Sequence, residues 1–501
     1  MLRTLLNLFV FCAFTLAHIS VAKSEASSRS YVTSNKPSTA TNKPSKAAKY
    51  SKKSKVASKV KSKHPVALAK VSRVNKRARL SSKNLDIKLK RTAKVKPVIN
   101  KKTVVSISKP VTENVITTPE VIHSEPMDSF QAVGPFKNFN NANYYELKAD
   151  GSKEVLTLDK ELQIYSENLL SSNKVEWGAI VAIDPKTGAV LSLSGHSEME
   201  SNGQAVATRN TFPAASLFKI ITAAAAVETS GYRGGTEVAY RGGTYTLGKQ
   251  NYLPSSKADR NKMSLGLALG KSCNPVFARV ALNNLSTDVI KQYAHNFGFS
   301  RQLAKDFSLR PSTLDLDSDS YSLARTAAGF GSALISPVHA SMIGGAIGND
   351  GLMMRPYLVD HINDSNGKVL SKTKPEILAR SVSQSTAAEV LDMMSVTISD
   401  GTARKHFRNA SPLLKNISIA GKTGTLSGKN PKGLYHWFVA VAPMNNPKVG
   451  IATLVIDNGR ARINAVGLGK KYLERYFELE HSTEQAQGET LNKVSKSGPL
   501  S

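Results

Sequence analysis

Cysteine is nearly missing from this chain: 501 residues hold two, Cys12 and Cys273. Residues so far apart supply no metal-ligand spacing, so no metal centre is expected and no cofactor is implied. Cys12 lies in an N-terminal apolar stretch; once that is removed, one cysteine remains and no internal disulfide can form. Acid is missing in one place only. Residues 23–110 carry 26 Lys/Arg against two acids, Glu25 and Asp86. That stretch supplies about +24 of the net +31, leaving about +7 elsewhere. The strongly basic balance therefore describes a tail, and the remainder is only mildly basic.

The N-terminus reads as an export segment over residues 1–22. Arg3 gives the charged start, residues 5–17 are almost wholly apolar, and Ser20-Val-Ala22 offers small residues where a signal peptidase cuts. The alternative is an uncleaved membrane anchor of barely sufficient length. Either way the rest of the chain leaves the cytoplasm, for the periplasmic or cell-wall space, released there or held at the inner membrane. Residues 23–126 are Lys, Ser, Ala, Thr, Val and Pro with almost no aromatics. Such a segment buries too little apolar surface to offset its ordering entropy, and is read as disordered. Behind an export signal its partner is an anionic wall polymer or membrane surface rather than nucleic acid, or it is a solubilising spacer. Residues 127–154 look like an adapter packed on the domain after it.

Order is expected from about Val155. Thr157 is a plausible cap to a helix carrying Leu158, Leu162, Tyr165 and Leu169. A strand at 177–183, an Asp184-Pro-Lys-Thr-Gly188 turn and a strand at 189–194 form a hairpin. A glycine- and tyrosine-rich rim loop or short hairpin is expected at 231–251. A long helical region reaches about Asn349, followed by a hairpin over Asp364-Ser-Asn-Gly367 and a helix at 383–399. Strands come next at 417–425, 436–442 and 449–456, then a closing helix at 466–478 and a loose tail over 481–501. Short turns between neighbouring strands imply antiparallel pairing, and near-continuous apolar strands imply cover on both faces. The expected fold is α/β of the α+β type: an antiparallel five-stranded sheet covered by helices on both faces, with a large helical insertion.

Three places concentrate unusual polar residues. In Pro213-Ala-Ala-Ser-Leu-Phe-Lys219, Ser216 is read into the first turn of a helix, with Pro213 at its approach and Lys219 three residues on along the same face. A lysine kept from water loses preference for its charged form and can take a serine proton. Ser-x-x-Lys alone is a weak signal, since Ser58…Lys61 and Ser371…Lys374 also occur. The second place is Ser272-Cys-Asn274 at a helical interruption. The third is Gly421-Lys-Thr-Gly-Thr425 on a strand. Its glycines admit a substrate backbone, and Lys422, Thr423 and Thr425 suit recognition of a carboxylate.

With Ser-x-x-Lys, Ser-x-Asn and Lys-Thr-Gly in this order, the chain resembles the penicillin-binding proteins, the serine transpeptidases and D,D-peptidases related to serine β-lactamases. Gly178-Ala-Ile-Val-Ala-Ile-Asp-Pro-Lys-Thr-Gly-Ala-Val190, Ser336-Pro-Val-His-Ala340, Gly401-Thr-Ala403 and Trp437-Phe-Val439 extend the resemblance over about 155–478. It implies roles. Ser216 would attack a D-Ala-D-Ala stem peptide and Lys219 take its proton. Ser272 would relay a proton to the leaving amine. Asn274 would hold the substrate amide and Lys219. Lys422, with Thr423, Gly424 and Thr425, would bind the terminal carboxylate, and the Ser216 and Thr425 N–H groups would form the oxyanion hole.

The implied function is a peptidoglycan D,D-transpeptidase acylated by β-lactams. Alternatives are a D,D-carboxypeptidase or endopeptidase, a class D-like β-lactamase, and a non-catalytic wall-binding or penicillin-sensing protein. No glycosyltransferase segment precedes the domain, so a bifunctional polymerase is not expected, and a disordered tail stands where a pedestal domain is usual. Cys273 is read as buried filler and His436, ahead of a strand, as a packing or rim residue. His339 and His406 have no ligand at metal spacing.

Overall fold

The computed structural model describes residues 133–140 and 143–496, with side chains as far as residue 487. These belong to one compact unit, Val115–Ser501. The expected export segment and basic tail lie outside the described residues. Among the described residues no helix is long and apolar enough to cross a membrane.

Five strands form the central sheet: β1 (Trp177–Ile183), β2 (Val190–Ser197), β3 (Ala420–Lys429), β4 (Lys432–Ala442) and β5 (Val449–Asp457). The order is β3-β4-β5-β1-β2, and every pairing is antiparallel. Side chains alternate between faces along a strand. Val181, Val439, Val441 and Leu454 join one core cluster, and Ile180, Phe438, Ala440 and Ile451 join the other. Both faces are therefore apolar, which is why these strands show no polar alternation in sequence.

Helix α1 (Lys160–Ser172) packs on the second face. Helices α2 (Phe218–Ser230), α3 (Asn274–Asn284), α4 (Pro337–Gly348) and α5 (Gln384–Ser399) belong to the insertion between β2 and β3 and cover the first face. Helix α6 (Ala465–Lys496) returns to the second face through Leu468, Tyr472 and Leu473. The caps are local chemistry. Ser336 accepts from the His339 N–H with Pro337 at the first helical position, and Ser383 accepts from the Thr386 N–H.

Three expectations change. Thr157 is not a helix cap but part of a strand, Lys153–Asp159, and its hydroxyl donates to the Val190 carbonyl at 2.8 Å. Asp159 caps α1 instead, accepting from the Leu162 N–H. The strand is made by distant partners. Residues Asn143–Leu147, Lys153–Asp159, Val359–Asn363 and Val369–Lys372 pair in that order in a four-stranded sheet. Part of the expected adapter is thus woven into the fold, and order begins ahead of Val155. At the other end, α6 is helical to Lys496, well into the tail expected to be loose from residue 481.

Candidate active site

Phe212–Pro213 makes two pairs with the strand Ser332–Ile335, so Pro213 belongs to a strand rather than to the approach of a helix. A single 3₁₀ turn, Ala215–Leu217, then leads into α2. Ser216 lies in that turn, just ahead of the α-helix. Two contacts hold the turn. The Trp437 indole donates to the Pro213 carbonyl at 3.0 Å. Gly329, at φ +85°, lies so close that a Cβ would sit 2.4 Å from the Ala215 carbonyl oxygen. Ala215 itself adopts φ +49°, unusual for a residue with a side chain.

Helix α2 is buried on all sides from Phe218 to Val227, which keeps Lys219 fully from solvent. Lys219 Nζ lies 2.7 Å from Ser216 Oγ, 2.8 Å from Asn274 Oδ1 and 2.7 Å from the Ala328 carbonyl oxygen. Burial, helped by the nearby Lys422 charge, pushes its pKa well below the ordinary lysine value. As an ammonium Lys219 donates to all three oxygens; as the neutral amine that the lowered pKa favours, it keeps two N–H groups for Asn274 and Ala328 and has a lone pair for the Ser216 proton.

Ser272 takes φ +57° just ahead of α3, which Asn274 opens with Pro275. Asn274 is anchored by its side-chain amide, which donates to the Tyr245 carbonyl at 2.8 Å. Cys273 is buried in the apolar core, and burial pushes its thiol pKa up. Strand β3 is a sheet edge, so its free side borders the cleft. Lys422 Nζ donates to Ser272 Oγ at 3.0 Å and to the Thr423 carbonyl at 2.7 Å. Its burial lowers the pKa to about 7. Thr423 and Thr402 share a 2.6 Å hydroxyl–hydroxyl hydrogen bond. At Gly424 a Cβ would stand 3.1 Å from the Trp437 Cβ and 3.4 Å from the Ala215 Cβ, so strand and nucleophile turn nearly touch.

All eight residues singled out in the sequence meet here. Ser216, Ser272, Asn274, Thr423, Gly424 and Thr425 line a cleft of about 470 Å³, with Lys219 and Lys422 buried behind it. The same cleft takes in Tyr245, Phe330, Thr402, His406, His436 and Asn464, none of which the sequence reading gives a role in the chemistry, though it reads His436 as a packing or rim residue near the site. Thr402 has a sequence signal in Gly401-Thr-Ala403, and Tyr245 in its rim loop; the others have none. His436 lies inside β4, not ahead of it. His339 is buried between Ser312 Oγ and the Phe297 carbonyl, each 2.6 Å away, apart from the site. Among the described residues no group of three or more His, Cys, Asp or Glu is placed to hold a metal ion.

A serine facing a buried lysine, beside a second serine–lysine pair at a sheet edge, defines an acyl-serine type of site. The chain belongs to the penicillin binding protein transpeptidase domain family, whose model matches residues 178–470, more than half of its length. It is 29% identical over 329 residues to the peptidoglycan D,D-transpeptidase PbpA of Mycolicibacterium smegmatis, covering 58% of this chain and 64% of that protein. The chain thus spans less than two thirds of the length of the curated relatives it matches. The crystal structure of PBPA from Mycobacterium tuberculosis superposes with a TM-score of 0.53 at 26% identity, over 64% of this chain and 81% of that one. The D,D-transpeptidase domain of a peptidoglycan glycosyltransferase from Eggerthella lenta gives 0.55 at 27% identity, over 65% and 82%.

Proposed function

We propose that this protein is a peptidoglycan D,D-transpeptidase working through an acyl-serine intermediate. The observation that carries the reading is the 2.7 Å approach of Lys219 Nζ, fully buried and biased to the neutral amine, to Ser216 Oγ. Lys219 takes the Ser216 proton as Oγ attacks the penultimate D-Ala carbonyl of a stem peptide. The N–H groups of Ser216 and Thr425 hold the oxyanion, each such donor being worth about 3 kcal/mol. Collapse expels the terminal D-Ala amine, which receives its proton through Ser272, held by Lys422 at 3.0 Å. Lys422, Thr423 and Thr425 bind the terminal carboxylate, and Asn274 orients the substrate amide and Lys219. An amine of a second stem peptide then attacks the acyl-serine and forms the cross-link. A solved imipenem acyl-enzyme complex of the M. tuberculosis relative supports extending β-lactam acylation to Ser216. Peptidoglycan lies outside the cytoplasm, which agrees with an export segment at residues 1–22 and with a wall or membrane partner for the basic tail.

The test is labelling of the full chain with a fluorescent penicillin beside Ser216→Ala. A stable adduct on the native protein and none on the variant is expected. No adduct on folded native protein overturns the reading. Incubation with stem peptides then separates cross-linked dimers, the expected product, from tetrapeptides with free D-Ala.

A further inference from the structure

His436 sits beside the residues that bind the substrate carboxylate in the proposed reaction. In the β3–β4 register it stands directly opposite Thr425. Cross-strand partners project from the same face with Cβ atoms about 5 Å apart. Thr423, two residues from Thr425, shares that face, whereas Lys422 points to the other. His436 and Thr425 both line the cleft.

The ring is half-buried, and neither nitrogen has a hydrogen-bond partner among the described residues. The core histidine His339 looks different. His339 is fully buried, and each ring nitrogen has an oxygen at 2.6 Å. No aspartate or glutamate lines the cleft, whose second histidine, His406, is 3.2 Å from the Asn464 amide. Burial lowers the pKa of the His436 ring, and the Asp457 carboxylate, which does not line the cleft, acts in the other direction. Asn464 in turn caps α6 by accepting from the Gly467 N–H at 2.9 Å.

We propose that His436 is a specificity-determining residue. It donates a hydrogen bond from its imidazole to the terminal carboxylate of the acyl-D-Ala-D-Ala donor, next to the hydroxyl of Thr425. The proposal rests on the transpeptidase reading of the site and adds a residue to it. The imidazole supplies a donor on the open side of the carboxylate, where Lys422, on the opposite strand face, does not reach. Its role is in binding and selectivity; the proton transfers stay with Lys219 and Ser272.

The experiment compares two donors on the full chain: an acyl-D-Ala-D-Ala peptide with a free carboxylate, and the same peptide as its C-terminal methyl ester. The readout is the ratio of their kcat/KM values. A hydrogen bond to a charged group is worth roughly a tenfold or larger effect. His436→Phe, which keeps the volume and removes the donor, is expected to cut the preference for the free carboxylate about tenfold, chiefly through KM. His436→Arg, which restores a donor, is expected to recover the preference. An unchanged ratio in His436→Phe, with both donors slowed equally, overturns the proposal and leaves His436 a packing residue. Fluorescent penicillin is applied to the native protein in parallel. If native protein labels at Ser216 but the ratio does not move, only the role of His436 fails. If native protein neither labels nor turns over either donor, the site reading fails and this proposal with it.

Discussion

Lys422 is buried among neutral groups with its pKa lowered to about 7, against an ordinary lysine value of 10.5. The unfolded chain therefore holds a proton on this side chain that the folded chain has released, between pH 7 and 10.5. Where the unfolded state binds more protons, stability rises with pH, by about 1.4 kcal/mol per unit for one group. The folded state thus carries its full penalty for a buried ammonium below pH 7 and sheds it on the way up. Replacing the side chain in Lys422→Met removes this dependence. Ser272 Oγ and the Thr423 carbonyl lose the same donor at every pH, so that loss is a constant offset. Lys219 is present in both proteins; burial, the main cause of its lowered pKa, is unchanged by the substitution, and the smaller part due to the Lys422 charge adds to the difference in the same direction.

The stability of native protein minus that of Lys422→Met should therefore climb by about 2.5 kcal/mol from pH 7.5 to 9.5. Urea unfolding followed by the fluorescence of Trp177 and Trp437 measures it. A difference flat across that range refutes the argument that burial holds Lys422 near neutrality. The same charge has a kinetic counterpart. The kcat/KM for carboxylate-bearing donors should fall as pH rises through about 7, because the free enzyme loses the cation facing the carboxylate.

Gly329→Ala places a Cβ 2.4 Å from the Ala215 carbonyl and forces a left-handed backbone on alanine. Penicillin acylation should drop by roughly a hundredfold or more, since misplacement near 1 Å has that effect, while circular dichroism stays native; unchanged acylation would show that the Ser216 turn does not depend on this contact. Arg279, nearly fully buried, forks onto Asp259 at 2.6 and 2.9 Å and donates to the Asn251 carbonyl at 3.0 Å, which ties the end of the rim loop to α3. Arg279→Met should lower stability by about 3–5 kcal/mol, with much of it recovered in Arg279→Met/Asp259→Leu, as read by denaturant midpoints.

The parts of the site that could be read in the chain are those whose chemistry is local. A serine and lysine three apart is a weak signal alone; it became legible in order with a Ser-x-Asn at a helical break and a Lys-Thr-Gly flanked by glycine, the pattern in which the chain resembles the penicillin-binding proteins. The three final strands were legible because unbroken apolar runs of that length fit a covered sheet. Lys153–Asp159 was not, because Leu158 and Leu162 also satisfy a helical period and the deciding partner, Val359–Asn363, lies about 200 residues away. The loose tail failed for the opposite reason. Residues 481–496 are polar, and nothing in their pattern marks where the helix stops. His436 shows the limit most plainly, for a lone histidine in an apolar strand looks the same whether it packs or faces a ligand.

Residue identity and order thus determined which groups are available: two lysines, two serines, an asparagine and a threonine pair on elements of known type. The tertiary structure decided their state. It brought Ser216 and Ser272 from across the chain into one cleft with Lys422 behind it, set Ala215 and Ser272 in left-handed backbone, and put Thr402 and His436 beside the Lys-Thr-Gly strand. Above all it excluded water from Lys219 and Lys422. A lysine becomes a base only when solvent can no longer stabilise its charge. Desolvation belongs to the packed whole, since every helix and strand around the amine contributes to it and no segment of sequence encodes it alone.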